Sequence, residues 1–197
     1  YKKLVKKRNE LLKSQDIDDV LLSVITDEMI LRESEIMVAR EKFIKLLNYQ
    51  LEKLDSRIGI NESIRLSYAK SISGDLKKFY ESKLQYDKIT KMTNYGVHRD
   101  DYIFYTNDKI SKIYCSQGQV RSAVIALKIA LFNLIKDITK TTPILLLDDV
   151  FSELDLDRQK CLVSFLLNEP QTFITTTNLN GIPKEILNKS HIINLKE

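Results

Sequence analysis

The sequence predicts an α/β unit preceded by a helical lobe, and three observations carry that prediction. All three prolines, Pro143, Pro170 and Pro183, fall in the second half of the chain, whereas the first 95 residues read as almost unbroken helical material. The run Ile144 to Leu147 is short and wholly apolar, bounded by Pro143 and by two aspartates, Asp148 and Asp149, which is the pattern of a buried parallel strand. The small polar tetrapeptide Ser116-Gln117-Gly118-Gln119 stands directly before a long stretch with apolar residues at helical spacing, so Ser116 is a natural N-cap.

In the predicted lobe, residues 1–95, Ile36, Phe43, Leu47, Leu51 and Leu54 recur at three-, four- and seven-residue intervals among charged residues such as Glu33, Glu41, Lys42, Lys45 and Lys53, the signature of an amphipathic helix. The apolar pattern is too irregular for a long uninterrupted coiled coil, so a short arm of antiparallel helices is expected. Alternating Ile64, Leu66 and Tyr68 predict a strand, and Asp75 to Thr93 a further helix. In the second part, residues 96–197, the segment Tyr102 to Tyr114 predicts a hairpin turning at Asn107 and Asp108. The helix after Ser116 and the strand ending at Asp148 follow. A helix from about Asp155 to Leu167, a strand at Gln171 to Thr177 and a last strand at His191 to Leu195 complete a βαβ-like succession.

Composition narrows the function. With 197 residues, 43% hydrophobic and 29% charged, the chain is long enough to bury a core. It has no apolar run of membrane-spanning length and no apolar signal-peptide core behind its basic first residues, which predicts a cytoplasmic protein. Cys115 and Cys161 have no disulfide or metal spacing and read as small buried hydrophobes. Of the net charge of +4, all lies in the first part: 19 Lys and Arg stand against 15 Asp and Glu up to Tyr95, and 12 against 12 beyond it. Lys2, Lys3, Lys6, Lys7 and Arg8 could follow a phosphate backbone at helical spacing, although a solvated basic face is the commoner outcome.

The chemistry concentrates at two places. Ligands of open α/β sheets bind beyond the carboxyl ends of parallel strands, where Asp148 and Asp149 stand. Taken alone, two aspartates there could equally cap a turn. Their sequel Ser152-Glu153-Leu154-Asp155 and the Ser116 to Gln119 tetrapeptide ahead of them decide for a Walker B element. In that reading Asp148 holds Mg²⁺ and Asp149 orients or deprotonates the water that attacks a γ-phosphate. The set resembles the ATP-binding cassette class: Ser116 to Gln119 resembles the signature motif, and Ser152 to Asp155 the D-loop. In that class the signature helix of one protomer closes on the γ-phosphate of ATP held by the other, so Ser116, Gln117, Gly118 and Gln119 are expected to act in trans.

Gly96-Val97-His98-Arg99-Asp100-Asp101, the two motifs, the threonines Thr175 to Thr177 and Lys6-Lys7-Arg8-Asn9 near the start together resemble the RecF family of bacterial recombination mediators, kin of SMC-like repair ATPases. Val97 stands where that family usually has proline, and Asn178 where an acidic residue is common. The resemblance implies the carboxyl-terminal half of an ATP-binding cassette head joined to a helical arm. It also implies an ATP-dependent homodimer on gapped or single-strand/double-strand junction DNA. RecR and RecO would be partners, with help in loading RecA during repair and replication restart. No G-x-x-x-x-G-K-[ST] occurs among the five glycines; the chain therefore reads as a portion without Walker A, unable to turn over ATP alone. Thr177 replaces the histidine many cassette ATPases carry at the switch, which suits slow hydrolysis, and His191 is too late to serve. A catalytically inert, partner-binding fragment is the rival reading. A transporter head is disfavoured by the altered signature and the missing switch histidine.

Overall fold

The computed structural model describes residues 1–55, 62–151, 154, 156–168 and 171–195. The elements are α1 (Lys2–Lys13), α2 (Asp19–Asp55), β1 (Ile64–Ala69), α3 (Leu76–Thr90), β2 (Asp101–Thr106), β3 (Lys109–Ile110), α4 (Ser111–Tyr114), α5 (Gln117–Thr139), β4 (Leu145–Asp148), α6 (Leu156–Asn168), β5 (Thr172–Thr175), a 3₁₀ turn Leu179–Gly181 and α7 (Lys184–Leu187). One sheet has the order β1-β2-β3; the other pairs β4 with β5 in parallel. The chain divides into two compact units, Tyr1–Ile44 with Ser67–Ile103, and Lys45–Leu66 with Phe104–Glu197. No described helix is long and apolar enough to cross a membrane.

Helix α2 is a single helix of 37 residues, about 55 Å at 1.5 Å per residue, where the sequence predicted shorter pieces. Asp18 starts it by accepting the Leu21 N–H at 2.9 Å. Its buried stripe runs Leu22, Ile25, Met29, Glu33 and then Ile44, Leu47, Leu51, Leu54, while Phe43, predicted to lie on the apolar face, is 42% exposed. The apolar period looked irregular because polar Glu33, and half-buried Arg40 one heptad later, occupy stripe positions.

In the first unit these two side chains hold the two backbone groups of one residue, Val97. Glu33 Oε1 accepts the Val97 N–H at 2.8 Å, and Arg40 Nη1 donates to the Val97 carbonyl at 2.7 Å. Arg40 also reaches Asp100 Oδ2 at 2.9 Å. Asp100 further accepts from the Ser71 N–H at 2.8 Å and from the Tyr68 hydroxyl, so the acidic residue of the His98-Arg99-Asp100 segment is structural. Glu33 Oε2 accepts from Tyr80 at 2.8 Å. Burial raises the Glu33 carboxyl above its ordinary range, against the lowering effect of these hydrogen bonds. Burial, and then the bond to Asp100, pushes Tyr68 up to about 12. His98 Nε2 faces the Thr93 carbonyl at 3.2 Å, which assigns the proton there, and Nδ1 accepts from the Tyr1 hydroxyl at 3.0 Å. Partial burial lowers its pKa. The core beside this network is Met29, Ile72 and Tyr80, packed by Leu4, Val5, Phe79 and Tyr95.

Arg8 departs from the predicted basic face. It is fully buried, with Nη1 on Asp87 at 2.7 Å and on Thr93 Oγ1 at 2.9 Å, Nε on Thr26 at 3.0 Å, and its guanidinium carbon 5.6 Å from the Tyr80 ring centre. Lys2, Lys3, Lys6, Lys7 and Lys13 remain exposed along α1.

In the second unit Asn107 and Asp108 both have positive φ, 49° and 60°, and Tyr105 pairs with Ile110 and Thr106 with Lys109, a tight turn at the predicted place; the second arm ends at Ile110, and Ser111 to Tyr114, predicted to belong to the hairpin, form the helix α4 instead. Asn48 acts as a strand partner for Leu66, donating to its carbonyl at 2.8 Å and accepting its N–H at 2.9 Å. Phe132 of α5 meets Phe165 of α6 edge to face at 5.5 Å. Strand β4 is covered on one face only: Leu145 and Leu147 are buried, whereas Leu146 is 68% exposed and Phe173 of β5 52%. The wholly apolar run therefore does not mean burial on both faces among the described residues. The predicted final strand at 191–195 is not formed. That segment carries no regular structure, Ile192, Ile193 and Leu195 lie exposed, and among the described residues no strand pairs their backbone. Cys115 is half-buried rather than core, and the side chain of Cys161 lies outside the described residues.

Removing one member of the buried Arg8–Asp87 pair, as in Asp87→Ala, is expected to cost about 3–5 kcal/mol in urea unfolding, because the other charge stays buried. Val97→Pro deletes the N–H that Glu33 accepts and is expected to cost about 1–3 kcal/mol in the same assay.

Candidate nucleotide-sandwich site

Two sets of predicted residues are built by different local means, both in the second unit. The first is the tip of α5. Ser116, φ −65° and ψ 160°, is the N-cap: its Oγ accepts the Gln119 N–H at 3.3 Å, and the Gln119 side chain accepts the Ser116 N–H at 3.0 Å. This reciprocal capping box fixes the serine. It also turns the Gln119 side chain back on its own backbone. The first intrahelical bond is Val120 N–H to the Ser116 carbonyl at 3.0 Å. Helix geometry then leaves the amides of Gln117 and Gly118 as donors at the tip, at the positive end of a 23-residue helix with no acidic residue in its first turn. Ser116 and Gln117 are exposed and Gly118 half-buried. Behind them Ser122, buried, donates to the Gly118 carbonyl at 2.9 Å.

Sequence reasoning did not single out Arg158. A Cβ on Gly118 would lie 3.4 Å from Arg158 Nη1 and 4.0 Å from Ser116 Oγ, so this guanidinium of α6 stands over the glycine. Its Nη2 donates to Glu62 at 3.1 Å. Nothing in the sequence distinguishes Arg158 from the other cations; only the fold brings it to the tip.

The second set lies at the carboxyl end of β4. Asp148 pairs in register with Thr175 of β5 and accepts from its hydroxyl. It is exposed, on the same face as Leu146. Asp149 has φ 43°, a left-handed conformation that asparagine and aspartate adopt more readily than most residues. Its N–H donates to the Thr175 carbonyl at 2.9 Å, and Oδ1 accepts from Thr176 at 3.4 Å. The turn thus aims successive carboxylates in different directions. An exposed carboxylate beside a hydroxyl is an all-oxygen donor set, which fits Mg²⁺ because that ion keeps several waters and takes one or two carboxylates. Among the described residues no three metal-binding side chains cluster. Gln159 Nε2 braces the loop after β4, donating to the Phe151 carbonyl at 2.9 Å and that of Leu154 at 3.3 Å. Thr177 is exposed, and Asn178 caps the following 3₁₀ turn through the Asn180 N–H at 2.8 Å. Ser152 and Asp155 lie outside the described residues.

No family model matches the chain. Over 212 aligned positions it is 36% identical to the DNA replication and repair protein RecF of Limosilactobacillus reuteri (strain DSM 20016), covering 100% of this chain and 57% of that protein. The protein of the same name from Streptococcus gordonii is 41% identical over 199 positions, covering 94% of this chain and 55% of its own length. Two solved structures superpose. The structure of the recombination mediator protein RecF-ATP in the RecFOR pathway gives a TM-score of 0.79 at 28% identity, over 91% of this chain and 52% of that one. The RecF-ATPrS structure gives 0.78 at 27%, over 93% and 53%. The mixed α/β head with a helical arm is therefore shown, and the chain spans about half the length of the curated relatives it matches.

Ser116→Ala removes the α5 cap and is expected to lower stability by about 1 kcal/mol in thermal unfolding, with Ser116→Asp close to unchanged because aspartate caps as well.

Proposed function

Because the chain belongs to the RecF family of ABC/SMC-like ATPases, we propose that it is part of an ATP-dependent recombination mediator in which a nucleotide is gripped between two copies of the intact molecule. The observation that supports this best is the exposed, pre-capped tip of α5: a serine hydroxyl and the amides around Gly118 are already fixed where an anion can approach from outside the subunit. Gln119 holds the serine in place rather than reaching for the ligand, and exposed Gln117 lies beside the approach.

Asp148, next to the Thr175 hydroxyl, would hold Mg²⁺. Asp149 is the base or orienting group for the attacking water, kept in place by Thr175 and Thr176. Thr177 takes the switch position, where it can donate a hydrogen bond but carries no charge, which favours slow turnover. Ser152 and Asp155 take the D-loop part by family resemblance. ATP and Mg²⁺ supply a polyphosphate whose terminal group is transferred to water. The Lys-Ser/Thr phosphate loop that must hold ATP in cis is not in this sequence, so hydrolysis belongs to the intact molecule and not to this chain alone.

The mediator works in the cytoplasm, with RecR and RecO as partners, on gapped or junction DNA. The exposed lysines of α1, residues 2, 3, 6, 7 and 13, meet phosphates rather than bases, so binding falls with salt and shows little sequence preference.

In the intact protein Asp149→Asn is expected to lower Mg²⁺-dependent ATP hydrolysis by roughly 10²-fold or more while ATP-dependent dimers persist. Ser116→Arg is expected to abolish those dimers in analytical ultracentrifugation. Dimerisation unchanged by Ser116→Arg would overturn the sandwich.

A further inference from the structure

We propose that Gln159 is a positioning residue for nucleotide hydrolysis: through the loop it braces, it holds the Asp149 carboxylate at the angle from which that group meets the attacking water. This rests on the reading of Asp149 given above.

Two hydrogen bonds from one nitrogen carry the inference. Gln159, the fourth residue of α6, donates from Nε2 to the Phe151 carbonyl at 2.9 Å and to the Leu154 carbonyl at 3.3 Å. An amide nitrogen has two N–H donors, so both are taken up by the loop backbone. The Phe151 carbonyl also accepts the Leu154 N–H, but at 3.4 Å, which leaves Gln159 as the closer of its two donors. The helix behind the brace is firmly seated, with Leu162 buried and Phe165 edge to face on Phe132 of α5. A packed helix is thus tied to a backbone group two residues past Asp149.

The tie matters because of the conformation at Asp149. With φ 43°, its backbone lies in the left-handed region, which an L-residue keeps only where its surroundings impose it. On the incoming side the Asp149 N–H is held by the Thr175 carbonyl at 2.9 Å. On the outgoing side Phe151 is anchored twice, by a ring that is 3% exposed and by Gln159 on its carbonyl. The turn is therefore stretched between β5 and α6. Loosening the α6 end lets φ and ψ relax and swings the carboxylate away from its line while leaving it present, and displacements of about 1 Å are enough to slow a positioned reaction.

A purely architectural role predicts something different. If Gln159 only fastens the start of α6, its loss lowers the melting temperature and affects nucleotide affinity and turnover alike.

The test uses the intact protein with Gln159→Met, which keeps the length and removes the donors, Gln159→Glu, and Asp149→Asn as reference. Mg²⁺-dependent ATP hydrolysis gives kcat and KM, fluorescent ATP gives monomer affinity, and thermal unfolding the melting temperature. Gln159→Met is expected to lower kcat roughly tenfold, with KM and affinity within about twofold of the parent. Gln159→Glu should be worse at neutral pH, where an ionised carboxylate faces two carbonyls. From about pH 8 to about pH 5.5 the introduced carboxyl takes up a proton and donates one O–H, so its kcat relative to Gln159→Met should rise as pH falls. An unchanged kcat in Gln159→Met, a loss of kcat matched by losses of affinity and melting temperature, or a ratio flat with pH refutes the proposal. Should Gln159→Met fail to fold, the same pH ratio taken against the parent protein decides. If Asp149→Asn slows hydrolysis and Gln159→Met does not, the positioning role alone falls; if Asp149→Asn has no effect, the reading of Asp149 falls with it.

Discussion

A carboxylate taken out of water must be met by hydrogen-bond donors, and Glu33 imposes that requirement on the whole first unit. It sits on the buried stripe of α2 and draws in the Val97 amide and the Tyr80 hydroxyl. Arg40, two helical turns on, takes the carbonyl of the same residue and Asp100 with it. Strand β1 then joins through Tyr68, and the segment before α3 through Ser71. A stretch whose sequence looks like a reactive motif is thereby a fixed corner of the scaffold. Valine at this position is part of the arrangement, because a proline there would have no N–H to give to Glu33.

The second unit solves a different problem. An exposed helix tip must be kept from fraying, and the capping box does this by satisfying two backbone donors of α5 locally while leaving others outward, as the proposed anion contact requires. The carboxylates at the end of β4 are fixed by register with β5 rather than by their own strand alone. Both arrangements use backbone geometry as the first support and side chains as the second, which limits how far a neighbouring substitution can displace them.

What the sequence made legible was local. Ser116 as a cap, Asn107 and Asp108 as a tight turn, and Asp148 at a strand end follow from residues within a few positions of one another, and each stands in the structure where the pattern placed it. What it hid depended on distant partners. Arg8 read as one more lysine-like charge because Asp87 and Thr93, which bury it, lie some eighty positions away. The sequence of the long α2 suggests shorter pieces because Glu33 and Arg40 interrupt its apolar period. His191 to Leu195 have strand-like composition, but composition does not supply the neighbouring edge a strand needs. Arg158 is the same lesson at the candidate site.

The backbone of Asp149, with φ 43°, has an evolutionary corollary. A glycine there would meet no steric objection and an asparagine little, so a carboxylate kept at that turn is conformationally the less comfortable choice. Where Asp149 has the role proposed above, thermal robustness and that chemistry select in opposite directions at one codon. A carboxylate without that task would be free to give way to glycine or asparagine there, whereas Asp148, in ordinary strand conformation, is under no such backbone pressure.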